Sequence, residues 1–318
     1  MHERSGIQYW SDRMGVNMET SIGRLKLKNP IMTASGTFGY GLKFHKMFDI
    51  SKLGAICTKG LSLKPREGNP MPRICETPAG MLNSIGLENI GIEKFRDETL
   101  PKLAETGATV IVNFFGESED EYVEAAKTFD GMDGVHGLEM NVSCPNVSKG
   151  GIQFGTDIKV LEKLTLAVRK ATSLPLIVKL SPNVGDIKPF AVAVENGGAD
   201  AISAINTLLG MSIDIKTGRP KLARVFGGLS GPAIKPVAVR MVYECAKSVK
   251  IPIIGIGGIT SVEDVVEFLL AGASAVQVGT FNFVDPESSN RFVAELEKYC
   301  IDNRIDVLND IIGKVKIG

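Results

Sequence analysis

Eight short, nearly unbroken apolar runs punctuate the chain, each separated from the next by a longer amphipathic stretch. They are NPIMTAS (29–35), GAICTK (54–59), TVIVNF (109–114), GLEMNV (137–142), PLIVKLS (175–181), DAISAIN (200–206), PIIGIG (252–257) and SAVQVGT (274–280). Strands that lack polar alternation are buried on both faces, as in a parallel sheet covered by helices. The connectors carry helical patterns. In TSVEDVVEFLLAGA (260–273), Ser261 reads as an N-cap with Asp264 three residues on, an apolar stripe follows, and Gly272 reads as the stop. Ahead of the first run, TSIGRLKLKN (20–29) reads as a hairpin turning at Gly23–Arg24, suited to close the N-terminal end of a barrel.

Eight such strands alternating with helices over 318 residues predict the α/β class and a single (β/α)8 TIM barrel with a short N-terminal β-hairpin. A doubly wound open sheet is the alternative, and strand count and length fit it less well. No linker, low-complexity segment or charge run divides the chain. The expected organisation is therefore a polar N-terminal extension over 1–18 and one barrel domain over 19–318.

Charge narrows the function classes. Lys plus Arg equals Asp plus Glu at 36 each, which argues against a nucleic-acid or anionic-membrane partner. No apolar run approaches the ~18 residues of a membrane span. The opening MHERSGIQYWSDRMGVNMET has no apolar h-region, so no secretory signal is read and a cytoplasmic protein is expected; Met14 and Met18, which both follow, are candidate alternative starts. The five cysteines, Cys57, Cys75, Cys144, Cys245 and Cys300, are odd in number and never form a C-x-x-C pair. That pattern suits neither a disulfide framework nor a zinc or iron–sulfur site held by this chain alone. No metal site is expected, and any cluster chemistry has to come from another subunit.

In a barrel the active site lies at the C-terminal ends of the strands, and polar and glycine residues gather there: Ser35 and Gly36; Lys59 and Gly60; Asn113; Asn141 and Cys144; Lys179; Asn206 and Thr207; Gly257 and Gly258; Gly279 and Thr280. Glycines at the seventh and eighth strand ends, with FGGLSGPA (226–233) upstream, admit a phosphate close to backbone N–H groups. Lys59 and Lys179 end apolar strands, where an ammonium needs an anionic or strongly polar partner. A reduced flavin offers one; a Schiff-base lysine is the competing use. Asn83, Asn141, Asn146 and Asn206 supply donors and acceptors for a flat ring of alternating N–H and C=O groups, although turn formation alone also selects asparagine. Cys144 stands among these amides in NVSCPNVSKGG (141–151), presented rather than packed.

The motifs TASGTFGYG, TKGLSLKPREGNPMPRICETPAGMLNSIGLEN, NVSCPNVSKGG, VKLSPN, INTLLGM and FGGLSGPAIKP resemble class 1 dihydroorotate dehydrogenases, and most of all the class 1B catalytic subunit, from about residue 19 to the C-terminus. The resemblance implies a barrel carrying FMN that oxidises (S)-dihydroorotate to orotate in pyrimidine biosynthesis. By the same resemblance Cys144 is the catalytic base. Lys59, Asn83, Ser84, Ile85, Gly86, Leu87, Asn141, Asn146, Asn206 and Thr207 hold substrate. Ser35, Lys59, Gly60, Asn113, Asn141, Lys179, Ile205, Gly231, Gly257, Gly258, Gly279 and Thr280 hold FMN. The NVSKGGIQFG loop is expected to close over substrate.

Class 1B also implies a partner carrying FAD and a [2Fe–2S] cluster, in a heterotetramer of two catalytic and two electron-transfer chains that delivers electrons to NAD⁺. The alternatives are a fumarate-using class 1A enzyme and a dihydropyrimidine dehydrogenase module. The quinone-using membrane class carries serine as base and an apolar N-terminal extension, unlike this chain. A flavin-free lyase or isomerase barrel and a non-catalytic scaffold are the remaining readings. Phe114 and Phe115 depart from the family pattern, where smaller residues are common, and leave the shape of the flavin wall open.

Overall fold

The structure is a computed structural model that describes residues 15–143 and 154–318. The eight apolar runs form eight strands: Ile31–Thr33, Ala55–Cys57, Val110–Phe114, Gly137–Asn141, Leu176–Lys179, Ala201–Ala204, Ile253–Ile256 and Ala273–Val278. They pair in parallel, each with its neighbour in sequence, and the eighth pairs with the first through Val276 opposite Ile31, closing a barrel. Helices Glu119–Asp130, Ile158–Ala171, Lys188–Asn196, Lys235–Ser248, Val262–Ala271 and Ser288–Asp302 follow the third to eighth strands. Shorter segments, Leu42–His45 and Leu100–Ala104, follow the first two.

The helix read from TSVEDVVEFLLAGA starts and stops as its sequence predicts. Ser261 accepts from the Asp264 N–H, Asp264 answers to the Ser261 N–H, and Gly272 ends the helix in the left-handed conformation.

Period-two alternation divides each strand between two cores. Outward residues such as Ile56, Val112, Leu138, Val178, Ile202 and Val276 pack under the helices in one continuous cluster. Inward residues Met32, Ala55, Cys57, Ile111, Ile177, Ala201, Ile254 and Ala275 form a second, smaller cluster together with Ile22 and Leu27. Those last two belong to the hairpin Thr20–Ile22/Leu25–Leu27, which turns at Gly23–Arg24 as expected and plugs the N-terminal end of the barrel. Thr20 Oγ1 ties it to the Ser274 carbonyl at 2.8 Å.

One sheet went unread in the sequence. Ile74–Thr77, Gly80–Asn83, Phe226–Ser230 and Leu208–Met211 form four antiparallel strands. Their segments come from the connections after the second and sixth barrel strands, and this pairing sets Asn83 opposite Gly228. Long-range pairing of short, half-exposed strands leaves no local period to read.

Candidate active site at the barrel mouth

The strand ends hold the polar residues in two storeys. The lower storey is built on Glu139, in the middle of the fourth strand and fully buried. Asn113 Nδ2 donates to Glu139 Oε1 at 2.7 Å, Gln277 Nε2 to Oε2 at 2.7 Å, and the Cys57 thiol to Oε1 at 3.3 Å. Lys179 Nζ lies 3.8 Å from Oε1 and donates to Ser35 Oγ at 3.3 Å. A protein carboxylate thus lies beside Lys179, a partner within the chain that its strand-end position did not reveal. Burial on its own drives Glu139 toward the neutral acid. The Lys179 charge and the three donors together outweigh burial, so its pKa lies below the usual carboxylate value. Burial, reinforced by the Glu139 charge, pushes the Cys57 thiol well up.

The upper storey is a chain of amides. Asn141 Oδ1 accepts from the Ser143 N–H at 3.1 Å and from Asn206 Nδ2 at 3.3 Å. Asn206 Oδ1 accepts from the Thr207 N–H at 2.8 Å. With the Asn141 oxygen taken twice, its N–H groups are the part left for a ligand. Thr207 in turn lies against Gly228, where any Cβ would come within 2.1 Å of Thr207 Oγ1. Asn83 Nδ2 donates to the Gly228 carbonyl at 3.4 Å, which brings Asn83 to the same wall. Three of the four expected asparagines therefore line one mouth; Asn146 lies outside the described residues, as does Cys144.

Lys59 is half-buried at the second strand end, and its backbone N–H donates to the Gly39 carbonyl at 2.7 Å. Burial lowers its pKa, with Glu88 opposing and Arg73 assisting. Ser84, Ile85, Gly86 and Leu87 continue from the Asn83 strand as a loop held by Asn69: the Asn69 N–H donates to the Ile85 carbonyl and Asn69 Nδ2 to the Ser84 carbonyl, both at 2.9 Å. Among the described residues, Ser84 Oγ and Ser143 Oγ are buried without a hydrogen-bond partner.

The glycine cradle is at the seventh and eighth strand ends. Gly258 has φ +74°, and a Cβ there would sit 2.9 Å from the Gly231 carbonyl and 2.8 Å from Lys235 Cβ, so only glycine fits. Gly231 is equally confined, by Gly80 Cα at 2.6 Å from its ideal Cβ. Thr280 Oγ1 donates to Ser230 Oγ at 2.7 Å, joining the eighth strand end to the capping sheet beside Gly279. Ile205 is buried at the sixth strand end, after a cis Ala204–Ile205 peptide. Phe114 points away from this mouth into the helix layer, packing edge-on with Tyr122 and Phe129. Phe115 borders Gly60 instead, under the Arg66 guanidinium.

Comparison with known sequences decides the family. The sequence model of dihydroorotate dehydrogenase matches residues 17–300. The chain belongs to the dihydroorotate dehydrogenase family. It is 55% identical over 301 residues to a protein of Geobacter metallireducens named dihydroorotate dehydrogenase B (NAD(+)), catalytic subunit, covering 95% of this chain and 99% of that one. Proteins of the same name from Citrifermentans bemidjiense (53% over 301 residues, 95% and 99% covered) and Pelobacter propionicus (54% over 303 residues, 95% and 100%) are similar to it. The sequence route to the family missed three residues of this site. Glu139 and Gln277 lie inside apolar runs, GLEMNV and SAVQVGT, that give no local reason to single them out. Asn183, in VKLSPN, donates to the Thr207 carbonyl at 3.1 Å and so steadies the Thr207 side of the mouth.

Proposed function

We propose that this member of the dihydroorotate dehydrogenase family is a class 1B catalytic subunit, a single barrel domain over 19–318 that oxidises dihydroorotate to orotate with FMN. The observation that carries the reading is the two-storey mouth: uncharged amides above, a lysine paired with a buried carboxylate below, and a glycine cradle to one side. The site fits the cofactor. Gly231 and Gly258 pack backbone against backbone, on Gly80 and on the Gly231 carbonyl and Lys235, so no side chain covers these strand-end peptides, and the Ser84 and Ser143 hydroxyls are buried without a partner.

Gly231, Gly257, Gly258, Gly279 and Thr280 would hold the FMN phosphate. Ser35, Gly60, Asn113, Lys179 and Ile205 would border the ring, with Lys59 and Asn141 serving both ligands. Bound FMN supplies the hydride acceptor. The chain's own residues do the rest. Asn83, Asn141, Asn146, Asn206 and Thr207, with the Ser84–Leu87 loop, orient the pyrimidine ring by hydrogen bonds that add no charge, and Lys59 balances its carboxylate. Cys144 takes the C5 proton. Its assignment rests on the N-x-S-C-P-N motif; of the four described cysteines, Cys57, Cys245 and Cys300 are buried, and Cys75 is half-buried on the Ile74–Thr77 strand. Burial pushes Cys245 up to about 12 and Cys300 to about 11, out of reach of proton abstraction near neutrality.

The relatives' names, which carry NAD(+) and the words catalytic subunit, support NAD⁺ as acceptor and a separate partner chain; we take that partner to carry FAD and a [2Fe–2S] cluster, in a heterotetramer of two chains of each kind. A cytoplasmic location accords with the described residues, among which no helix is long and apolar enough to cross a membrane. Steady-state assays test the acceptor. The isolated chain should reduce artificial dyes with negligible NAD⁺ turnover, and adding the partner should restore NAD⁺ reduction. Rapid fumarate reduction by the isolated chain moves it to class 1A.

A further inference from the structure

Glu139 stands apart from every role assigned so far. Side chains from the second, third, fifth and eighth barrel strands, Cys57, Asn113, Lys179 and Gln277, all converge on its carboxylate. It is itself fully buried, and it contacts two of the residues assigned to the ring, Asn113 and Lys179. Glu139 and Lys179 are the two charged residues among the buried residues of the described barrel strands. A buried ion pair stabilises a fold little, and often less than apolar residues of the same volume. Its presence at this depth calls for another function.

Two consequences follow from its chemistry. A carboxylate only accepts hydrogen bonds, so the Asn113 amide meets it with NH₂ and keeps Oδ1 for the mouth. That oxygen is the atom a Cβ on Gly60 would meet at 2.7 Å. Second, the Lys179 ammonium lies between the carboxylate and Ser35 Oγ, with its positive charge partly cancelled from below. An uncancelled ammonium beside a flavin would favour the reduced ring, whose added negative charge it attracts. Such a flavin would surrender electrons poorly.

We propose that Glu139 is a positioning residue for the flavin: a fixed counter-charge beneath the ring site that tempers Lys179, keeps the flavin's reduction potential low enough for onward electron transfer, and locks Asn113 oxygen-outward. This rests on the flavin reading of the mouth. The sequence carries the same logic, since a glutamate in GLEMN faces a glutamine in AVQV across a barrel interior that is otherwise apolar below.

Anaerobic spectroelectrochemical titration of the flavin-loaded protein tests it. Glu139→Gln removes the charge, keeps the shape, and should move the reduced-to-oxidised ratio at fixed potential at least about tenfold toward reduced, or about 30 mV upward for a two-electron couple. Glu139→Asp keeps the charge but withdraws it from Lys179 and Asn113, and should shift the midpoint the same way by less. A merely structural role would change melting temperature and leave the midpoint in place. A midpoint unchanged or lowered in either folded variant overturns the proposal. A parent protein that neither carries nor takes up FMN overturns the flavin reading itself, which the parent's visible spectrum reports separately.

Discussion

Replacing Lys179 with methionine isolates the energetics of the buried pair. Methionine matches the lysine stem, so little packing is lost, and Glu139 remains fully buried with Asn113, Gln277 and Cys57 as its only donors. Breaking a buried pair by removing one partner costs about 3–5 kcal/mol. At about 2.1 cal/mol/K per residue over 318 residues, each kcal/mol is worth about 1.5 °C, so Lys179→Met should melt about 5–8 °C below the parent near neutral pH.

The pH dependence gives the sharper signature. In the parent, Glu139 has a folded pKa below its unfolded value, so its contribution is present above the unfolded pKa and lost as pH falls through the folded one. Without Lys179, burial prevails and the folded pKa rises above the unfolded value. The variant's deficit should then be small at about pH 4.5 and grow as pH rises through the new folded pKa. Differential scanning calorimetry of both proteins from acid to neutral pH measures it. A variant within about 2 °C of the parent at neutral pH, or one whose deficit widens on acidification, refutes the reasoning.

Gly258→Val forces a side chain into left-handed backbone against the Gly231 carbonyl, and should weaken FMN binding by more than tenfold in fluorescence titration while the far-ultraviolet dichroism is kept. Ser261→Ala removes half of the capping box that opens the helix after the seventh strand; a cost of about 1 kcal/mol, hence 1–2 °C of melting temperature, is expected in thermal melts. Cys144→Ser should bind orotate and FMN normally yet slow flavin reduction by about 10²–10⁴-fold in stopped-flow, and reduction at the parent rate removes Cys144 from the mechanism.

The barrel was legible because each strand is a local apolar run and because a connecting helix, Val262–Ala271, carries its own start and stop in Ser261–Asp264 and Gly272. The hairpin plug was legible from Gly23–Arg24 for the same reason. The capping sheet was not, since Asn83 meets Gly228 across a sequence gap with no local pattern to announce it. At the site, Lys59, Lys179 and the asparagines stood out as polar residues at strand ends, and the structure joins Asn83, Thr207, Asn206 and Asn141 along one wall. Glu139 and Gln277 were hidden by their surroundings: one polar residue in an apolar run reads as noise until the barrel closes and sets them face to face. Their pairing is tertiary information.

The central claim is that this mouth carries a flavin that dihydroorotate reduces. The most direct measurement is the visible spectrum of the anaerobic purified chain before and after one equivalent of dihydroorotate. The account predicts an oxidised FMN band at one flavin per chain that bleaches on addition and returns with an artificial acceptor. A colourless protein that takes up no FMN, or a flavin band that dihydroorotate leaves unchanged, would contradict it.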